Sequence, residues 1–451
     1  MEGLIPMLDS IDSIVWGPPL IALLVGTGIY LTTRLGLIQV FRLPLALSLI
    51  AGAKNRGEGD VTSFKSLCVA LSATVGTGNI VGVATAVKVG GPGALFWMWM
   101  AAFFGMATKY AEGLLAIKYR SKDENGEVAG GPMYYILNGM GEAWRPLATF
   151  FAAACILVAY FGIGTFPQVN AIVDSVNLTF GVSKVITDTV LTILVAAVTL
   201  GGLKSIASVA DKIVPFMSAV YIVLGVGMII AHIGDVPAAI SMILSDAFTG
   251  HAAVGGFAGS TMMMAMKNGI ARGVFSNESG LGSAPIAAAA AKTDWPAEQG
   301  LISMTGTFID TIIICTMTGL ALIFTGVWCG DAVGAQMTAS AFAASFGPSG
   351  AVVLTLSLVL FAFTTILGWN YYGERAVVFL FGTKGLMPYR VIFIALIASG
   401  AFLKLEAIWI LADIVNGLMA IPNLIALIML SSVIVSETKL YMEHRKACGD
   451  D

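Results

Sequence analysis

The sequence predicts an all-α polytopic membrane protein of about eleven transmembrane helices, in which helices 2–6 and helices 7–11 form inverted five-helix repeats behind one extra N-terminal helix. Three observations predict it. The 451 residues are 57% hydrophobic and only 11% charged, a composition far from that of a soluble enzyme or a disordered chain. Eleven stretches approach the roughly 20 apolar residues that cross a bilayer. Two of them, the second and the seventh, are interrupted at their centres by glycine and polar residues, and they lie five apart. A repeat of five helices re-enters the membrane upside down, which makes the halves an inverted pair.

The spans are expected at 14–33, 66–88, 93–115, 147–170, 186–203, 213–232, 262–291, 299–326, 350–373, 389–404 and 405–435. The first follows Glu2, Asp9 and Asp12, has no Lys or Arg before Arg34, and contains Pro18-Pro19. A signal peptide carries the opposite charge pattern, so this stretch reads as a retained helix. The last two spans adjoin at Lys404 and Glu406, which suggests a tight outer turn. Positive charge marks the cytoplasmic side of a membrane protein, and the basic residues divide unevenly. Of 24 Lys and Arg, nineteen fall to one side, Lys88, Lys184 and Lys404 to the other, and Lys267 and Arg272 lie in the outer part of the seventh span. The N-terminus is therefore expected outside and the C-terminus in the cytoplasm, with a plasma membrane as the location. Residues 1–451 read as one transmembrane domain: an extra helix at 14–33, a first repeat over 66–232, a second over 256–436 and a cytoplasmic tail at 437–451.

Unwound backbone inside a bilayer exposes groups that lipid cannot satisfy, so it persists where it lines a cavity or holds a ligand. The second span breaks at Val75-Gly76-Thr77-Gly78-Asn79. Gly76 and Gly78 let the chain leave helical geometry at low steric cost. The amides freed at the start of the following half-helix favour an anion such as a carboxylate, and carbonyls near Ser72 and Val75 suit a small cation. Asn79 offers both a donor and an acceptor. Close helix packing is the plainer reading of two nearby glycines, but it does not account for Thr77 and Asn79 beside a second break. The seventh span repeats the pattern with Gly273, Phe275, Ser276, Asn277, Ser279, Gly280 and Gly282. Paired breaks in inverted repeats are the pattern of alternating-access secondary transporters.

Other polar groups in the spans allow two readings each. Gln168 either hydrogen-bonds a ligand or holds helices together. Thr364 and Thr365, one turn from Trp369, either give hard oxygen ligands to a cation or bond their own backbone. Asp310 is the best candidate for a protonatable group, and a hydrogen-bonded network explains it equally well. Glu278 is expected to pair with a nearby cation such as Arg272, because unpaired charge in a membrane is costly. The clusters Trp97-Met98-Trp99-Met100 and Met262-Met263-Met264 read as packing. His232, His251 and His444 have no metal-ligand spacing, and the five cysteines form no CxxC pair or even framework. A net charge of −3 without a basic, aromatic-interleaved run makes nucleic acid an unexpected partner. The lipid bilayer is the expected one.

Long motifs then carry a resemblance. Gly90-Gly91-Pro92-Gly93-Ala94-Leu95-Phe96-Trp97-Met98-Trp99-Met100-Ala101-Ala102-Phe103-Phe104-Gly105 resembles the signature of the sodium:alanine symporter family, the alanine or glycine:cation symporters. The likeness continues through Lys109-Tyr110-Ala111-Glu112, Gly130-Gly131-Pro132-Met133-Tyr134-Tyr135, Ser276 to Pro285 and Gly368 to Glu374. The resemblance implies a fold of the bacterial leucine-transporter type and sodium-driven uptake of alanine or glycine, with no organic cofactor. It implies that Asn79, Gln168, Phe275, Ser276, Asn277 and Trp369 contact the amino acid while Gly76, Thr77 and Gly78 offer amides to its carboxylate. By a more distant likeness to the first broken helix of neurotransmitter:sodium symporters, Ser72, Val75, Thr364 and Thr365 would hold one Na+. Proton coupling through Asp310 or Glu278 is the first alternative. A channel is the second, although channels usually build their filters by symmetry. An enzyme is third, for no nucleophile elbow or paired carboxylates within one span are visible.

Overall fold

A computed structural model describes residues 5–52, 57–250, 261–402 and 405–449. The chain is almost wholly helical, as it must be where water is absent and each backbone group needs a partner within the chain. The spans are, in order, Ile5–Arg34 (kinked after Val15), Ser63–Thr74 with Gly78–Gly90, Gly93–Lys118, Arg145–Phe161 with Phe166–Phe180, Lys184–Thr199, Gly202–Ala231, Met262–Asn277 with Ala284–Ala288, Pro296–Thr325, Pro348–Phe381, Leu386–Ser399 and Leu405–Met429. A helix at Ser431–Cys448 follows. Among the described residues the one sheet is a hairpin after the third span, with Ser121 opposite Ala129 and Lys122 opposite Val128.

By length and apolarity alone, and with the tenth span taken with its flanking turns as Thr383–Phe402, seven of the described spans can cross a membrane, or eight with the second, whose halves are bent by 49°. The other expected spans fall short for separate reasons. Lys184–Thr199 has 16 residues, the seventh is cut into short halves, and Gly93–Lys118 is long enough at 26 residues but carries Lys109 and Glu112 in its apolar run. The fourth span has an interruption not expected from the sequence, from Gly162 to Thr165, before Pro167 restarts the helix. Pro167 lacks an N–H to donate, and such a residue is tolerated in the first turn of a helix. The eighth contains a π-helical stretch, Phe308–Cys315. His251 and Lys404 lie outside the described residues.

Exposure sorts the spans into a perimeter and a centre. Ile186, Val190, Ile193 and Leu194 lie on one exposed face of the fifth span, and Phe216, Val223, Val226 and Ile230 do the same on the sixth. In water such stripes would be buried; in a bilayer they face lipid. Trp369, Tyr110, Tyr221, Tyr372 and Phe275 are fully buried and mark the centre, where the second, third, seventh and ninth spans meet.

Candidate functional site

The second span leaves helical geometry at Val75 (ψ 92°) and resumes with a π-helical turn, Gly78–Gly82. The Gly76 amide so freed donates to Asn79 Oδ1 at 2.8 Å. The Thr77 amide donates to Gln168 Oε1 at 3.3 Å, across to the fourth span just beyond its own break. Thr365 Oγ1 reaches the Val75 carbonyl at 3.5 Å. A Cβ at Gly76 would lie 2.4 Å from Thr365 Oγ1, so the ninth span can approach only because residue 76 has none.

The seventh span stays helical through Asn277, so Gly273, Phe275, Ser276 and Asn277 of the expected break lie in regular helix, and then turns at Glu278 (φ 57°), Gly280 (φ 88°) and Gly282 (φ 81°). A left-handed residue with a side chain costs about 1–2 kcal/mol, and Glu278 is anchored against that cost at both carboxylate oxygens. Trp369 Nε1 donates to Oε1 at 2.9 Å and Ser283 Oγ to Oε2 at 2.6 Å. This corrects the expected Glu278–Arg272 pair. Arg272 lies more than a turn toward the outer end, where it pairs with Asp413 of the eleventh span and covers the Phe275 ring at 5.4 Å.

The two breaks cross. A Cβ on Gly78 would stand 2.9 Å from Ser276 Cα, closer than side-chain carbons approach backbone. Asp310 of the eighth span joins them: Asn79 Nδ2 donates to its Oδ1 at 2.7 Å, and Ser276 Oγ and Thr311 Oγ1 donate to its Oδ2 at 2.9 and 2.7 Å. Asn277 Nδ2 donates to Thr311 Oγ1 at 3.0 Å. Asp310 therefore stands in a hydrogen-bonded network that holds both broken helices.

The structure brings together Gly76, Thr77, Gly78, Asn79, Gln168, Ser276 and Asn277, with Phe275 on the adjoining turn and Trp369 tied in through Glu278. All are essentially without exposure. Of the four groups expected around a cation, Val75 and Thr365 meet. Ser72 Oγ bonds the Val69 carbonyl at 2.7 Å and lies against the ninth span at Gly368. Thr364 Oγ1 bonds the Phe361 carbonyl at 3.0 Å and faces Met217 Sδ of the sixth span.

Sequence reasoning passed over Lys109 and Glu112. Lys109, counted there as a cytoplasmic charge, is buried in the third span and its Nζ donates to the Asn277 carbonyl at 2.8 Å. Glu112 Oε1 accepts from the Gly280 amide at 3.1 Å and from Asn423 Nδ2 at 2.6 Å, and Asn423 Nδ2 also donates to the Gly280 carbonyl at 2.9 Å. The signal was available: an ionisable pair inside an apolar span marks a functional position by default.

A family model described as the sodium:alanine symporter family matches residues 1–451. The chain belongs to that family. It is accordingly a membrane transporter of the symporter kind and not an enzyme. Relatives agree with the assignment along nearly the whole length. An uncharacterized transporter of Haemophilus influenzae is 57% identical over 98% of this chain and 96% of its own. The sodium/alanine symporter AgcS of Methanococcus maripaludis is 50% identical over 98% of both. Among solved structures, that of MhsT in complex with L-phenylalanine superposes with a TM-score of 0.58 at 11% identity, covering 85% of this chain and 99% of that one. At that identity the likeness bears on the fold alone, and the fold is the leucine-transporter type expected of this family.

Proposed function

We propose that this symporter imports a small neutral amino acid, alanine or glycine, together with Na+ by alternating access. The observation that carries the reading is the crossing of the two broken helices at Gly78 and Ser276, which gathers backbone amides held only by neutral side chains, side-chain amides and hard oxygens in a centre closed to lipid. The name of the Methanococcus relative supports the choice of alanine and sodium. In this reading the amides of Gly76, Thr77 and Gly78 take the substrate carboxylate, and Asn79, Gln168, Ser276 and Asn277 complete its hydrogen bonds. Phe275 and Trp369 wall the space for the side chain. Such a wall excludes large side chains by overpacking, whereas one missing methyl costs little, so alanine and glycine are poorly discriminated. Na+ takes oxygens from Ser72, Val75, Thr364 and Thr365 and stiffens the second span against the ninth before the amino acid bridges the two breaks.

The driving force is adequate. One Na+ entering down about 100 mV contributes about 2.3 kcal/mol, and a tenfold gradient adds about 1.4 kcal/mol, enough together for roughly 500-fold accumulation of a zwitterion at 1:1 coupling. The extra helix at 14–33 belongs to neither of the repeats at 66–232 and 256–436, and the tail at 437–451 lies in the cytoplasm. The bias of basic residues supports an N-terminus outside the plasma membrane and a C-terminus inside.

Proteoliposomes holding the purified protein test the reading. Accumulation of radiolabelled alanine that requires an inward sodium gradient and is competed by glycine is expected. Accumulation driven by a proton gradient alone would replace Na+ with H+, a reading that the buried carboxylate of Asp310 between the breaks favours. No movement of alanine under either gradient would refute the substrate.

A further inference from the structure

The two broken helices meet a second time, at the ends that the charge bias assigns to the cytoplasm. Val61, ahead of the second span, and Ala291, behind the seventh, form a parallel bridge. The amides of Asp60 and Val61 donate to the Ala290 carbonyl at 2.9 and 3.1 Å, and the Lys292 amide donates to the Val61 carbonyl at 2.8 Å. Just inside it, Ser66 Oγ donates to the Ala287 carbonyl at 2.9 Å. Arg120, two residues past the third span, spans the seam from outside. Its Nη1 donates to the carbonyls of Ala289 (3.1 Å) and Ala291 (2.8 Å), and its Nη2 to those of Glu58 (2.9 Å) and Thr293 (3.3 Å). The hairpin that follows Arg120 is itself tied to the segment before the second span and to the ninth span. The Val128 amide donates to Asp60 Oδ2 at 2.8 Å, and Arg375 of the ninth span pairs with Asp123 and Glu127 of the hairpin at 3.1 and 3.2 Å.

We propose that Arg120 is the latch of the cytoplasmic gate, a positioning residue whose release from the 58 and 289–293 segments opens the central site inward. The geometry demands that something of this kind yield. A ligand at the Gly78–Ser276 crossing leaves toward the cytoplasm only if the half-helices Ser63–Thr74 and Ala284–Ala288 part, and parting them breaks the Ser66–Ala287 bond, the bridge and one side of the Arg120 fork. Of these, the fork alone carries a formal charge and reaches both segments with one side chain. A guanidinium suits the task because its rigid planar donors match several acceptors at once and because it is weakly hydrated, so it gains and loses such partners readily. Burial pushes its pKa down from the usual guanidinium value, and the carboxylates of Glu58, Asp60 and Asp294 oppose that shift. The inference rests on the symporter reading for the direction of opening, not for the bonds.

The test uses the full-length protein with the reporter substitution S66C, read by mass spectrometry of that thiol after a water-soluble maleimide. With Arg120 present, labelling is expected to be slow. R120A is expected to speed it about tenfold or more, with R120K in between, since losing bonds made only in the closed state shifts the population toward the open one. A protein biased inward also has fewer outward-facing sites, so R120A raises the apparent KM for external alanine, which a loss of folded protein would not do. Unchanged labelling in R120A at unchanged thermal stability overturns the proposal. If R120A does not fold, V61C with A291C replaces it. Oxidative joining should then stop uptake and reduction restore it, while full uptake in the joined protein overturns the latch. Should alanine not move in the parent protein, the symporter reading fails, and the labelling rates still decide the role of Arg120.

Discussion

The crossing of the two broken helices offers the sharpest test. Gly78 approaches the seventh span so closely that an added Cβ would stand 2.9 Å from Ser276 Cα, 3.2 Å from its Cβ and 3.3 Å from its Oγ. Carbon atoms at their best separation are about 3.5–4.0 Å apart, so G78A must push the two breaks apart by several tenths of an ångström. Overpacking of that kind costs about 1–3 kcal/mol. The N–H of residue 78 is retained, so the penalty falls on the crossing and not on the amide. If substrate binding needs the crossing closed, the apparent KM for alanine rises by about 5- to 150-fold. The control lies one turn along the same helix: a Cβ at Gly82 meets only the Thr77 carbonyl oxygen, at 4.0 Å, so G82A should leave KM within about twofold. Initial rates of sodium-driven uptake in proteoliposomes, at matched protein content and thermal stability, give both values. Equal KM for G78A and G82A would refute the claim that the crossing forms the binding site.

Three other substitutions separate the roles. N79A deprives the Gly76 amide of its acceptor and Asp310 of a donor, and two buried groups left unmade cost about 3 kcal/mol or more, so uptake should fall about a hundredfold; near-normal uptake at normal expression would remove Asn79 from the site. T365A takes away the hydroxyl facing the Val75 carbonyl and should raise the sodium concentration for half-maximal uptake by about three- to tenfold, with the alanine KM at saturating sodium unchanged; an unaltered sodium dependence would move the cation elsewhere. W369F keeps an aromatic ring, smaller than the indole, but leaves Glu278 Oε1 without its donor, and since hydrogen bonds to charged groups contribute about 1.5–3 kcal/mol, uptake should drop about tenfold or more; wild-type rates would show that the left-handed turn at Glu278 stands without that bond.

Periodicity and composition made the spans and both breaks readable, because glycine and polar runs are conspicuous inside apolar sequence. What they could not supply was partners. Lys109 and Glu112 bind groups 168 residues further along the chain, and nothing local in the third span points there. Arg272 and Glu278 are near in sequence and looked like a pair, yet the helix between them turns them toward different neighbours. The gap at Gly162–Thr165 did have a local signal in two glycines and Pro167, but a short break flanked by long apolar runs leaves the hydropathy of the span unchanged. Arg120 was visible only as one more positive charge, since its acceptors are backbone carbonyls that carry no sequence signal.

The two breaks are also satisfied differently, and the difference bears on which of them meets the ligand. In the seventh span the freed groups are held by charged or charge-supported partners at short range: the Asn277 carbonyl by Lys109 at 2.8 Å, and the Gly280 carbonyl by Asn423 at 2.9 Å, with Asn423 itself bound to Glu112 at 2.6 Å. Bonds of that kind are strong, and removing one partner leaves a buried charge exposed to a medium that cannot solvate it. In the second span the partners are neutral, and although Asn79 holds the Gly76 amide at 2.8 Å, two of the bonds are long: Gln168 on the Thr77 amide at 3.3 Å and Thr365 on the Val75 carbonyl at 3.5 Å. A carboxylate replaces a neutral acceptor on an amide at a gain, and a cation does the same for a hydroxyl on a carbonyl. In the proposed reading the break braced by the third and eleventh spans is the fixed wall, and the second span presents the groups that a ligand can claim.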